Sequence, residues 1–154
     1  MKSPSRRHLA REALVQALYQ WQINPASCPD IAMQFLADPE RLQNADRAFF
    51  EKVWNGICPG IADLDPAIAA AVTDRRWGDE ISEVERAILR LAAFELRHLP
   101  ETPYRVVINE AIELGKAFGA DQGHRFVNAV LDRLASEWRL AERQGDGSER
   151  HGGG

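Results

Sequence analysis

Ser82-Glu83-Val84-Glu85-Arg86-Ala87-Ile88-Leu89-Arg90-Leu91-Ala92-Ala93-Phe94-Glu95-Leu96 is the stretch whose reading decides the fold. Its first four residues fit a capping box, in which a serine hydroxyl and the glutamate three residues on satisfy the free backbone donors of a helix start. The run after Glu85 is apolar nearly all round a helical wheel, so the helix must be packed on several sides. Arg90 and Glu95 interrupt that apolar surface and read as internally paired structural charges rather than catalysts. The fold is therefore expected to be built around this helix.

Apolar spacings of three and four recur on both sides of it, and alternating strand patterns are missing, so the fold class is all-α. Before the central helix, one helix is expected from about Arg6 to Gln22, closed by Asn24-Pro25, and a shorter one near Asp30–Ala37, broken by Asp38-Pro39. A third runs from about Asp46 to Ile57, with Phe50, Val53, Trp54 and Ile57 on one stripe, and stops at Cys58-Pro59-Gly60. A fourth spans about Ile61–Val72, and Trp77-Gly78 lies in the connection. Beyond the central helix, Pro100 and Pro103 reopen the chain, Thr102-Pro103 offers a cap and first turn, and Gly119 ends the sixth helix. Asp121 opens the seventh, which reaches about Leu140. This gives one helical domain over 1–141 with a basic N-terminal arm. The Gly-rich polar tail, 142–154, has too little apolar surface to order itself.

With 154 residues, 45% of them apolar and 27% charged, the chain is sized for one domain with a real core. No apolar run approaches the roughly 20 residues of a membrane span, and no secretory signal follows the basic start. The composition suits a cytoplasmic protein. Cys28 and Cys58 lack metal-binding or redox spacing and read as reduced thiols, although spacing alone leaves a bridge between them open. The net charge of −4 gives no general attraction for nucleic acid. Its distribution is uneven: residues 1–12 hold Lys2, Arg6, Arg7 and Arg11 against Glu12 alone, a basic arm on an acidic body. That arm either concentrates phosphate attraction or is a solubilising terminus.

Catalytic patterns are missing. His8, His98, His124 and His151 show neither His-Glu-x-x-His spacing nor companion cysteines, so no metal is expected. Gly115-Lys116-Ala117-Phe118-Gly119 interrupts and ends a helix rather than forming a phosphate loop, so no nucleotide cofactor is expected either. Glu110 and Glu113 share a helix flank, which fits a solvated face or a partner contact better than acid–base work. The chain reads as a binding protein, not an enzyme.

Two aromatic residues fall outside the core stripes of their helices. On the first helix Ala10, Leu14, Ala17, Leu18 and Trp21 form the apolar face, and Tyr19 lies about 160° from its middle. On the last, Val127, Val130, Leu131, Leu134 and Trp138 form the stripe, and Phe126 sits about 100° off it, near Arg133 and Gln122. Rings outside the core beside arginines suit single-stranded RNA, with bases stacking on the ring and guanidinium groups meeting phosphates. Coverage of the same rings by another helix fits the periodicity equally.

Several segments together resemble the NusB family of bacterial transcription antitermination factors. They are Arg6-Arg7-x-x-Ala10-Arg11-Glu12-Ala13-x-x-Gln16-Ala17-Leu18-Tyr19, then Glu85-Arg86-Ala87-Ile88-Leu89-Arg90 with Glu95-Leu96, and Pro103-Tyr104-Arg105-Val106-Val107-Ile108-Asn109-Glu110-Ala111-Ile112-Glu113-Leu114. Phe118-Gly119 and Arg125-Phe126-Val127-Asn128-Ala129-Val130-Leu131-Asp132 complete the set. The resemblance implies about seven helices in two small bundles packed across one another. It also implies pairing with NusE, a ribosomal small-subunit protein, and binding of the boxA RNA element by the pair. Joined to the RNA polymerase elongation complex with other Nus factors, the pair suppresses premature termination, notably on ribosomal RNA operons.

By this resemblance the RNA-contacting cations match Arg6, Arg7 and Arg11, the RNA-facing aromatics match Tyr19 and Phe126, and the glutamate facing NusE matches Glu85. The chain departs from the family in having His8-Leu9 where the pattern is more basic, and Asn128-Ala129 where Asn-Gly is frequent. Apolar groups awaiting NusE leave room for a homodimer of the free protein. A helical protein-binding adapter without RNA recognition is the alternative. Related helical domains also precede a methyltransferase domain in some RNA-modifying enzymes. With no cofactor-binding segment in this sequence, catalysis by the chain alone is not expected.

Overall fold

The computed structural model describes residues 4–120 and 123–145. Its helices are α1 (Arg6–Ile23), α2 (Cys28–Ala37), α3 (Arg47–Ala71), α4 (Glu83–His98), α5 (Tyr104–Ala117) and α6 (His124–Trp138). A further helical stretch covers 140–145, and no strand occurs among the described residues. α1, α2 and α3 pack as one small bundle, α4, α5 and α6 as a second, and the two cross along α4. Every residue from Glu85 to Leu96 is buried, as the all-round apolar run requires. Each fully buried leucine or isoleucine there contributes about 1.5–3 kcal/mol of transfer free energy.

Local signals set most helix starts. The side chains of Ser5, Ser27, Asp46 and Ser82 accept from the backbone N–H groups of His8, Asp30, Phe49 and Glu85, respectively. At α4 the return half of the box differs from expectation: the Ser82 hydroxyl donates to Glu85 Oε1 at 2.9 Å. Gly119, with φ +78°, takes the left-handed conformation that ends α5.

Four expectations are corrected. α3 does not stop at Pro59 but continues through it and through Pro66. Each proline deletes a backbone donor, at a cost of about 3 kcal/mol. Both rings are exposed, while Ile57, Ile61, Leu64 and Ile68 carry one buried stripe across the interruptions, so packing outweighs propensity. Thr102 does not cap α5. Its hydroxyl is buried without a partner among the described residues, and Glu142 Oε2 accepts the Tyr104 N–H at 2.9 Å instead.

Glu142 also receives buried Arg139 (2.6 Å), whose guanidinium donates to the carbonyls of Glu95, Leu96, Leu99 and Thr102. Residues 142–145, assigned to the tail from sequence, are thus helical and lock the α4–α5 corner. The rest of that tail, Lys2 and Asp121 lie outside the described residues. Finally, Cys28 and Cys58 form a disulfide, because the packing of α2 on α3 brings their Cα atoms to 5.9 Å. Sequence spacing carried no trace of that packing.

Candidate nucleic-acid and partner interface

The N-terminal end of α1 gathers cationic groups on an aromatic support. Arg6 and Arg7 are exposed in the first turn, where the free backbone donors of the helix also favour anions. Arg6 reaches the Ala45 carbonyl at 3.5 Å, and the Arg7 guanidinium lies 4.6 Å from the centre of the Phe49 ring. Arg11 approaches the same ring at 5.2 Å. Stacking of this kind fixes a guanidinium plane while leaving its N–H edges for phosphate oxygens. A backbone hydrogen bond holds the nearby Glu101 carboxyl below the usual carboxylate range, with Lys52 and Arg7 adding to the effect.

Arg11 does not belong to this exposed group. It is only 3% exposed and forms a bidentate pair with Glu95, itself 2% exposed, through two contacts of 2.9 Å. Its assignment as a phosphate contact is corrected: the guanidinium is spent inside the protein. The wheel set Arg11 at the edge of the apolar face, and only the arrival of α4 decides that this edge is covered. The expected internal pairing of Glu95 and Arg90 holds, Arg90 meeting Asp65 at 2.7 Å and Gln22 at 3.0 Å.

Phe126 is also corrected. The ring is 8% exposed, and the Arg75 guanidinium lies 4.1 Å from its centre. Arg75 comes from the α3–α4 connection, remote in sequence, so no wheel of α6 could reveal the cover. A base cannot stack on that face unless Arg75 leaves it. Arg133, expected beside this ring, donates to the Ala71 carbonyl at 2.9 Å.

Tyr19, in contrast, is 42% exposed. It lies about 18 Å further along the α1 axis than Arg7 and about 120° around it. With Val15, Val84 and Phe118 it lines a mostly apolar hollow of about 210 Å³. Val84 and Phe118 are shared with an adjoining cleft of about 400 Å³ that includes Arg75, Ser82 and Glu85. Tyr19 therefore sits on one continuous face with Glu85 rather than beside the basic end. Glu85 is held by Ser82 and lies 3.8 Å from Arg75, leaving it 8% exposed. The carboxylate rests against Gly123, where a Cβ would collide with it. Val84 and Phe118 were missed as site residues because both fit an ordinary core pattern. Phe49, also missed, had the signal of an aromatic in the first turn of a capped helix.

An all-helical binding domain is what these features define: a cationic end, a separate apolar face edged by a carboxylate, and no cluster able to hold a metal among the described residues. Among the described residues, no helix is long and apolar enough to cross a membrane. A family model described as the NusB family matches residues 8–136, and the chain belongs to that family. It is 47% identical over 140 residues to a protein of Alcanivorax borkumensis named transcription antitermination protein NusB, covering 91% of both chains. A Hahella chejuensis protein of the same name is 45% identical, over 92% of this chain and 93% of its own. The solved structure of NusB from T. maritima superposes with a TM-score of 0.69 at 30% identity, covering 89% of this chain and 94% of that one.

Proposed function

We propose that this chain is a cytoplasmic transcription antitermination factor that pairs with NusE and, as a pair, binds boxA RNA within the RNA polymerase complex. The observation that supports this most is the separation of two unlike surfaces on one rigid fold. Arg6 and Arg7, mounted at α1's first turn, offer charge to phosphates. Tyr19, Val84 and Phe118 offer apolar area to a protein, and the largely buried Glu85, held by Ser82 and Arg75, lines the adjoining cleft. RNA supplies the first chemistry and NusE the second, so each ligand takes the surface it matches. Tyr19 is accordingly assigned to the protein side, and bases stack on partner or backbone groups near the cationic end.

Titrating labelled boxA RNA with this chain, with NusE and with both tests the proposal. It requires affinity gained by the pair over either component, and weak, equal binding in all three titrations would refute it. The burial of Arg11 and Phe126, together with the assignment of Tyr19 to the protein side, removes three of five expected RNA contacts and favours one competing reading: a protein-binding adapter without RNA recognition. NusE binding with no boxA preference in the pair would establish that reading instead.

A further inference from the structure

A groove of about 590 Å³ runs between α3 and the C-terminal end of α4, outside both surfaces described above. Its floor includes Leu64, Phe94 and Leu99, and its rim carries Lys52, Arg97 and His98 against one lining acid, Asp63, with Lys52 also paired to exposed Glu101 at 3.4 Å. The His98 ring leans on Phe94 with centroids 4.9 Å apart, and both His98 and Arg97 are exposed. On the α3 wall Gly56 leaves room for the Phe94 ring, whose edge would have to shift to admit a Cβ there. That wall is bare backbone beside an aromatic edge.

The groove is continuous with the cationic end of α1. Arg7 stacks on Phe49, Lys52 follows Phe49 by one turn of α3, and Lys52 and Arg7 both act on Glu101. Lys52 then lines the groove. Cations on a rim over an exposed imidazole and apolar walls match a single strand, with phosphates on the rim and a base against the exposed His98 ring, which Phe94 supports from below. An acidic peptide would use the cations but leave the exposed His98 ring without a stacking partner.

We infer that this groove binds RNA flanking the boxA element, extending the strand's path from Arg6 and Arg7 past Lys52 to Arg97 and His98. This rests on the boxA reading. One additional seated base and two phosphates give longer RNA about tenfold tighter binding.

The test uses the full chain with NusE and two RNAs: boxA alone, and boxA extended by about six uridines at its 5′ or its 3′ end. One extension should bind about tenfold tighter, and the double variant Arg97→Ala, His98→Ala should abolish most of that gain while leaving boxA alone unaffected. Loss of one phosphate contact should also reduce the salt slope for the extended RNA by about 0.7. Both side chains are solvent-exposed, so the variant keeps the fold, and an unchanged melting curve verifies this. Equal binding of the extended and unextended RNAs, or a gain that survives the double variant, would overturn the groove assignment alone. Failure of the wild-type pair to bind either RNA would overturn the boxA reading and the groove with it.

Discussion

Arg11 offers the sharpest separation between a structural and a functional role. The pair it forms with Glu95 is bidentate, with both members almost fully buried. Arg11→Ala would leave the Glu95 carboxylate in the core without its counter-charge, and such losses cost about 3–5 kcal/mol. For a domain of this size that is a fall in melting temperature of about 9–15 °C. Replacing both, as Arg11→Met with Glu95→Leu, removes the unpaired charge and should restore most of the stability. The assay is urea or thermal unfolding of the wild type, the single variant and the double variant, followed by boxA titration of the double variant with NusE at several salt concentrations. The double variant should keep the wild-type salt slope, since no phosphate contact is lost. A single variant as stable as wild type, or a double variant whose slope falls by about 0.7, would refute the buried-pair account and return Arg11 to the RNA.

Other outcomes follow from the same structure. Phe126→Ala should destabilise by about 3–5 kcal/mol in denaturant unfolding, as core aromatics do. Tyr19→Ala should change stability by less than about 1 kcal/mol while weakening NusE binding measured by calorimetry. Arg139→Met strands the carbonyls at the end of α4, so unfolding should lose about 3 kcal/mol or more. Reducing the Cys28–Cys58 bridge, which closes a loop of sequence separation 30, should cost up to about 3–4 kcal/mol in unfolding free energy with and without reductant.

The central helix and the all-helical class were legible because they depend on local chemistry, a serine cap followed by an apolar run. Gly119 was legible for the same reason, since a positive φ selects its residue type. What failed depended on distant partners. Pro59 announced a break that the buried stripe of α3 overrides. Thr102 looked like a cap, yet the donor it would satisfy is taken by Glu142 from the far end of the chain. Phe126 looked exposed on its own helix until Arg75 closed over it. Of the proposed site, Arg6 and Arg7 stay exposed as first read, Tyr19 stays exposed but moves from the RNA to the protein-facing surface, and Glu85 lines that surface while largely buried beside Arg75. The surface to which Tyr19 belongs became visible only when α4 and α5 set Val84 and Phe118 beside it.

The division of labour between the two surfaces is open to one direct measurement: amide chemical-shift mapping of the isotopically labelled chain, first with NusE and then with boxA RNA added. NusE should perturb residues around Tyr19, Val84, Glu85 and Phe118, and the RNA should then perturb Arg6, Arg7 and Phe49. RNA-induced shifts centred on Tyr19, or NusE shifts confined to the first turn of α1, would contradict it.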